Sequence, residues 1–305
     1  MATFDGPRPI SPRRPIVAGP VLLVLGSMTS LQLGAAIATH LFDDVGASGA
    51  SAMRLGFAAG LLWAWSRPSI RSWGPDRRRT AVALGVTMAA MNSAFYVAVD
   101  RLPLGAAITI EFLGPLGLAV VLTRRWREVV WVVLAVAGVG LLALGQQDGV
   151  GGALDPVGVA AALVAAAGWA AYIVVGSRLA TTDPGVAGLA VATAVASLVV
   201  VPVGVVAAGS SLVDVRVLGL GVAMAVFASV IPYSFEIRAL QDLPKRTFSI
   251  LVALEPAIGA LVGRALLGQR LAALSWVGVG CVVAAGVGAT ATAPSDQAAL
   301  LPESA

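Results

Sequence analysis

A chain of 305 residues that is 58% hydrophobic and only 12% charged is not a soluble domain, in which charged residues make up about a quarter. Its net charge of +4 does not mark a nucleic-acid binder, because the basic residues fall in short segments between long apolar runs. A single cysteine, Cys281, excludes an intrachain disulfide, and its apolar setting leads us to expect an inert buried thiol.

Residues 1–15 form a polar, proline-rich and basic tail. The apolar run that follows is too long for the core of a cleaved signal, so it is expected to be retained as a first membrane helix. Runs of roughly 18–25 apolar residues, enough to cross a hydrocarbon core of about 30 Å, then recur at 16–39, 46–66, 80–99, 102–123, 128–145, 156–177, 185–208, 216–238, 245–267 and 272–292. Ten spans result, separated by Gly-, Pro- and Asp-rich connectors, and residues 293–305 form a second polar tail. The expected fold class is an all-α polytopic membrane protein.

Orientation follows from the cations. With the N-terminus in the cytoplasm, 15 of the 20 basic residues fall on cytoplasmic segments. Four fall opposite (Arg101, Arg216, Arg264 and Arg270), and Arg54 lies within a span. That asymmetry places both termini in the cytoplasm. Trp63, Trp65, Trp126, Trp131 and Trp276 sit near span ends, as an interfacial belt requires, whereas Trp169 lies within a span.

The chain repeats itself. LPLGAAITIEFLGP at 102–115 aligns with LPKRTFSILVALEP at 243–256, an offset of 141 residues (102 to 243), and SAFYVAVDRLP at 93–103 aligns with SFEIRALQDLP at the same offset. Spans 5 and 10 begin alike, WVVLAVAGVG at Trp131 and WVGVGCVVAA at Trp276. Two five-span halves are expected, residues 16–145 and 156–292. Because five is odd, the second half enters the membrane inverted. Inverted repeats with polar groups at the midplane are a recurrent build of secondary transporters.

Three ionisable groups lie deep in the spans. At about 1.5 Å per residue, Glu111 lies some 13 Å, Glu255 about 15 Å and Arg54 about 12 Å from the nearer membrane face. Intramembrane charges are costly and mark cavities or solute paths. One reading is a cavity in which Glu111 and Glu255 meet an ammonium or carry a coupled proton, while Arg54 holds a carboxylate by a forked contact. The other is an ion pair that only fixes helix packing. Gln32, Asn92 and Tyr96 could hydrogen-bond a solute or only each other's helices, and Tyr233 joins them as a candidate contact. Glu236, near the cytoplasmic end of span 8 beside Arg238, is a gate candidate or a snorkelling interfacial acid. Pro115, Pro202, Pro232 and Pro256 interrupt the helical runs, and either kinks open the backbone there or neighbouring helices simply tolerate them. Gly280, Ala284 and Gly288 form a small-residue ridge suited to packing within the chain or against a second copy, a possible homodimer. His40 stands alone, so no His/Cys cluster can hold a metal. There is no phosphate loop and no nucleophile–base–acid set, so neither an enzyme nor a cofactor is expected.

The segments SLQLGAAIATHLF (30–42), ASAMRLGF (50–57), MNSAFYVAV (91–99), PLGAAITIEFLGPL (103–116), WVVLAVAG (131–138), IPYSFEIRAL (231–240) and LPKRTFSILVALEPA (243–257) resemble the drug/metabolite transporter superfamily with paired EamA domains. Within it they resemble its bacterial inner-membrane exporters of threonine and homoserine. The resemblance covers about residues 16–292. It implies a basket of ten helices around a central cavity lined by spans 1–4 and 6–9, with spans 5 and 10 bracing the outside. It also implies efflux of small amino acids exchanged for protons, with no bound cofactor. Glu111 aligns with Val252 of the second half, and Glu255 with Gly114 of the first, so the acids are not symmetry mates. Export of aromatic or cationic amphipaths on the same fold would require a ring-rich cavity. A non-transporting membrane interaction protein would require long loops. The central spans are instead Ala/Gly-rich and the loops short.

Overall fold

Lipid offers no partner to a backbone N–H or C=O, so a spanning chain must satisfy both within itself. This chain does so with helices. The computed structural model describes residues 18–102, 104–122, 126–145, 155–183, 185–255, 257–259, 261 and 273–291, and these hold ten α-helices and no strand. Six candidate spans are long and apolar enough to cross a membrane, and three shorter apolar stretches are Ile110–Leu122, Val129–Leu141 and Trp276–Ala285.

Helix α1 (Ala18–Ser66) carries the first two spans as one helical run broken at Gly46, with φ 66° and ψ 177°. Residues 40–45, expected as a connector, are helical. The turn is confined to a residue with no Cβ, which enters the left-handed region without strain. Helix α2 (Pro75–Val99) starts five residues before the expected 80, with a proline in its first turn where no N–H is needed. Helices α3 (Leu104–Leu122) and α4 (Trp126–Gly145) follow. The Asp155 side chain accepts from Val157 N (2.7 Å) and Gly158 N (3.0 Å), opening α5 (Pro156–Thr182). Helix α6 is Ala187–Ala208. Pro115 and Pro202 lie inside unbroken helical runs, the tolerated case of the two expected.

The eighth span is segmented into α7 (Val215–Ala225), a π turn (Val226–Val230) and α8 (Ile231–Asp242). Pro232 explains the segmentation: its ring cannot sit against the carbonyl four residues back, and a wider turn relieves the clash. Ser30 Oγ, from α1, donates to the Phe227 carbonyl in that turn at 2.7 Å. Helices α9 (Lys245–Val252) and α10 (Ala273–Ala291) complete the described set. Pro256 lies outside the described residues, as do residues 1–17 and 292–305, which include both expected tails.

Helix α1 packs against α6, α7 and α8; α2 against α5 and α6; α3 against α5 and α9; and α4 against α10. The main buried core runs through all of these but α7, which packs in a second cluster with α1. Tyr172, Phe112, Phe248, Leu55, Leu84 and Met88 are among the largest fully buried side chains of the main core. Outside it the surface is apolar, with Val121 80% and Val206 86% exposed, which suits contact with lipid. Trp63, Trp65 and Trp276 are exposed, in keeping with an interfacial belt, and Trp169 packs edge-on against Phe112 at 4.9 Å. One expectation is corrected. Cys281 is half-buried rather than buried, because α10 lies on the periphery. In the small-residue ridge Gly288 packs against Trp131, while Gly280 and Ala284 face outward.

Candidate functional site

The interior polar groups converge from six segments of the chain. Arg54, on the second limb of α1, donates from Nη2 to Asn92 Oδ1 of α2. The Asn92 amide then donates from Nδ2 to the Met88 carbonyl at 2.7 Å, which fixes its orientation. The Arg54 neighbours in electrostatic reach are Tyr96, Tyr233 and Glu111, and Arg54 is the charged group that faces Glu111. Tyr233 is in hydrogen-bonding reach of Asn92. Arg54 Nε finds no acceptor among the described residues, so one face of the guanidinium stays available.

A second group adjoins the first. Glu236 accepts from Ser27 Oγ of α1 at 2.9 Å and from Tyr172 Oη of α5 at 2.8 Å. The Tyr172 and Tyr233 rings are 5.8 Å apart and link the two groups. Glu255, just past α9, is in electrostatic reach of both Glu236 and Glu111. Gln32 lies over Gly259, one turn beyond Glu255: a Cβ there would meet its amide at 3.2 Å.

The structure therefore gathers Arg54, Asn92, Tyr96, Glu111, Tyr233, Glu236 and Glu255 into one connected set, with Gln32 at its margin. Glu236 does not snorkel; it points inward between α1 and α5, because two hydroxyl donors meet it there. Ser27 and Tyr172 are the members that sequence reasoning missed. The available signal was that the chain has only three tyrosines, all within apolar runs, and all three belong to the set. Among the described residues there is no group of three His, Cys, Asp or Glu side chains able to hold a metal ion.

Close helix approach sustains this geometry. A Cβ on Gly114 would lie 2.0 Å from the Ala166 carbonyl oxygen, so α3 touches α5 backbone to backbone three residues from Glu111. On the basic face, Arg77 pairs with Asp183 at 2.9 Å and stacks over Trp73 at 3.9 Å. Asp183 also accepts from Gly185 N and Gly188 N, which joins the start of α2 to the α5–α6 connection.

The threonine/homoserine exporter RhtA of Escherichia coli (strain K12) is 39% identical over 279 residues, 91% of this chain and 93% of its own length. The chain belongs to the EamA-like transporter family. The model of that family matches residues 156–290. RhtA of Salmonella typhimurium (strain LT2) is likewise 39% identical, over 93% of this chain and 95% of its own. The uncharacterized transporter YwfM of Bacillus subtilis (strain 168) is 28% identical over 76% of this chain and 80% of its own. One solved crystal structure superposes with a TM-score of 0.72 at 17% identity, covering 90% of this chain and 96% of that one, a likeness of fold. The EamA relatives are transporters, not enzymes. With the apolar helices, they mark the chain as a multi-pass protein of the bacterial inner membrane.

Proposed function

We propose that this chain exports threonine, homoserine and similar small amino acids from the cytoplasm in exchange for protons, by alternating access around a midplane cavity. The observation that carries the reading is Arg54: a guanidinium inside the spans, steadied by Asn92, with Nε open and Glu111 facing it. A zwitterion needs one cationic and one anionic partner. Arg54 receives the carboxylate, and Glu111 or Glu255 receives the amine or the coupled proton. Tyr96, Tyr233, Asn92 and Gln32 supply neutral hydrogen bonds, and Glu236 gates the cytoplasmic side. Export by the RhtA relatives supports the substrate class.

The same reading treats the chain as two inverted five-helix repeats. Asn92 and Tyr233 are 141 residues apart (92 to 233), the offset of the sequence repeat, and both neighbour Arg54, which suits a two-fold relation. The pairings of α3 with α9 and of α4 with α10 join corresponding spans in the same way. Cytoplasmic termini are favoured by the basic loops. The ion pairs Arg77–Asp183, Arg101–Asp155 and Arg216–Asp44 each join connectors that this topology assigns to one side.

The test is counterflow in proteoliposomes loaded with unlabelled threonine. Labelled threonine should accumulate and be competed by homoserine, but not by an analogue whose carboxylate is replaced by an amide. Competition by the amide equal to that by homoserine would remove Arg54 from the role given it.

A further inference from the structure

Glu236 differs from the other interior acids in what surrounds it. Glu111 faces the Arg54 guanidinium, so a proton on it would leave a cation without its counter-charge. Glu236 is held by two neutral hydroxyls, Ser27 Oγ and Tyr172 Oη, one on each carboxylate oxygen. The groups facing it are Ser27 from α1, Tyr172 from α5, Tyr233 from its own helix and Glu255 from beyond α9, and α6 brings no titratable residue. Arg238 is exposed, and Lys245 and Arg246 line a separate cavity of about 360 Å³ with Leu240 and Leu243, beyond the end of α8. None of the ion pairs among the described residues involves Glu236.

We infer that Glu236 is the proton-binding carboxylate of the transport cycle, and that Ser27 and Tyr172 are the contacts through which its proton changes helix packing. This rests on the proton-exchange reading above and deepens it, moving the coupled proton to Glu236 and leaving the substrate amine to Glu111 or Glu255. The chemistry is a count of donors. An ionised carboxylate accepts from both hydroxyls and ties α1, α5 and α8 together. When a proton adds, an O–H bond forms on one oxygen, and that oxygen becomes a donor. The hydroxyl facing it then turns its own proton elsewhere and accepts instead. Ser27 has somewhere to turn its proton: the hydroxyls of Ser66, Thr29, Thr87 and Thr193 each donate to the carbonyl four residues back in their own helix. For Ser27 that carbonyl belongs to Leu23. Protonation therefore replaces charge-assisted contacts by weaker neutral ones and loosens α1 against α8, and loss of the proton tightens them again. Glu236 stands six residues before the end of α8, about 9 Å from the basic face, so the proton leaves toward the cytoplasm. Glu255 is next to it and can hold the substrate amine when Glu236 is neutral.

The experiment is Glu236→Gln in everted vesicles, with protein level and monodispersity checked. Uptake of labelled threonine driven by an imposed proton gradient is expected to fall about tenfold or more. Threonine counterflow, which needs no proton turnover, is expected to fall by a clearly smaller factor than gradient-driven uptake and to lose its pH dependence. Gradient-driven uptake preserved in Glu236→Gln while wild type is gradient-driven would overturn this inference alone. Loss of counterflow together with uptake, in folded protein, would also overturn it and leave Glu236 a structural tie. Wild-type uptake indifferent to the gradient would overturn the proton-exchange reading itself. Should Glu236→Gln fail to accumulate, Tyr172→Phe serves. Counterflow should persist and the pH profile of net uptake should move, and an unmoved profile would overturn the inference.

Discussion

The Arg54 guanidinium donates to the Asn92 side-chain oxygen, and this contact decides how the amide is oriented and what remains open on the arginine. Asn92→Ala should leave a charged donor without its acceptor inside the membrane, a loss of about 1–3 kcal/mol. The melting temperature in detergent should drop. Arg54→Lys should keep the charge but lose the planar fork, raising the KM for threonine about tenfold, or about 1.4 kcal/mol. An unchanged KM in Arg54→Lys would separate Arg54 from the carboxylate.

The three ion pairs differ in burial, and their value should follow. Asp183 has a side chain only 4% exposed and holds Arg77 as well as two backbone N–H groups, whereas Arg101–Asp155 and Arg216–Asp44 are open pairs at 3.7 and 4.0 Å. Asp183→Ala should cost about 2–4 kcal/mol, somewhat below the range for a fully buried pair, because Arg77 retains solvent. Arg101→Ala and Arg216→Ala should cost about 0–1 kcal/mol. Thermal unfolding in detergent orders the three, and equal losses would contradict the assignment.

Gly114 and Gly117 are three residues apart on α3, and a methyl group should tell them apart. At Gly114 it would meet the Ala166 carbonyl at 2.0 Å, and at Gly117 nothing lies within 4 Å. Gly114→Ala should force α3 from α5 and abolish both stability and transport. Gly117→Ala should be neutral or slightly stabilising, since alanine is the better helix former by about 1 kcal/mol. Membrane-level immunoblots with uptake assays decide it.

Asp155 caps α5 outside the membrane. The backbone N–H groups of Gly158 and Val157, with a smaller contribution from Arg101, hold its carboxyl below the ordinary value of 3.8. A group whose folded pKa is lowered contributes stability that is full above the unfolded value and lost as pH falls through the folded one. The wild-type melting temperature should therefore fall below about pH 4. Asp155→Asn should match wild type near neutrality, because asparagine caps as well, and should show less of that acid loss. Identical acid limbs would exclude Asp155 as a contributor.

Much of the fold was legible in composition alone, since ten apolar runs can be satisfied in lipid only as helices. The boundaries were less so. Residues 40–45 read as a connector because Asp43 and Asp44 are polar, yet a helix can carry acids at its wet end, and the true break is the single residue Gly46. Pro232 was visible, but not the π turn that accommodates it, since that depends on Ser30 of α1 reaching the Phe227 carbonyl. In the site, Arg54, Glu111 and Glu255 were legible because charge in an apolar run is expensive. Ser27 and Tyr172 were not. A hydroxyl costs little within a helix, and its meeting with Glu236 joins residues 209 and 64 positions apart.

The central claim is tested most directly by uptake of radiolabelled threonine into everted vesicles, with and without an imposed proton gradient, for wild type and Glu111→Gln. Wild type should show gradient-stimulated uptake competed by homoserine, and Glu111→Gln, present at equal membrane level, should lose about 90% of it, a change of about 1.4 kcal/mol. Full gradient-driven uptake by Glu111→Gln, or none by folded wild-type protein, would contradict the account.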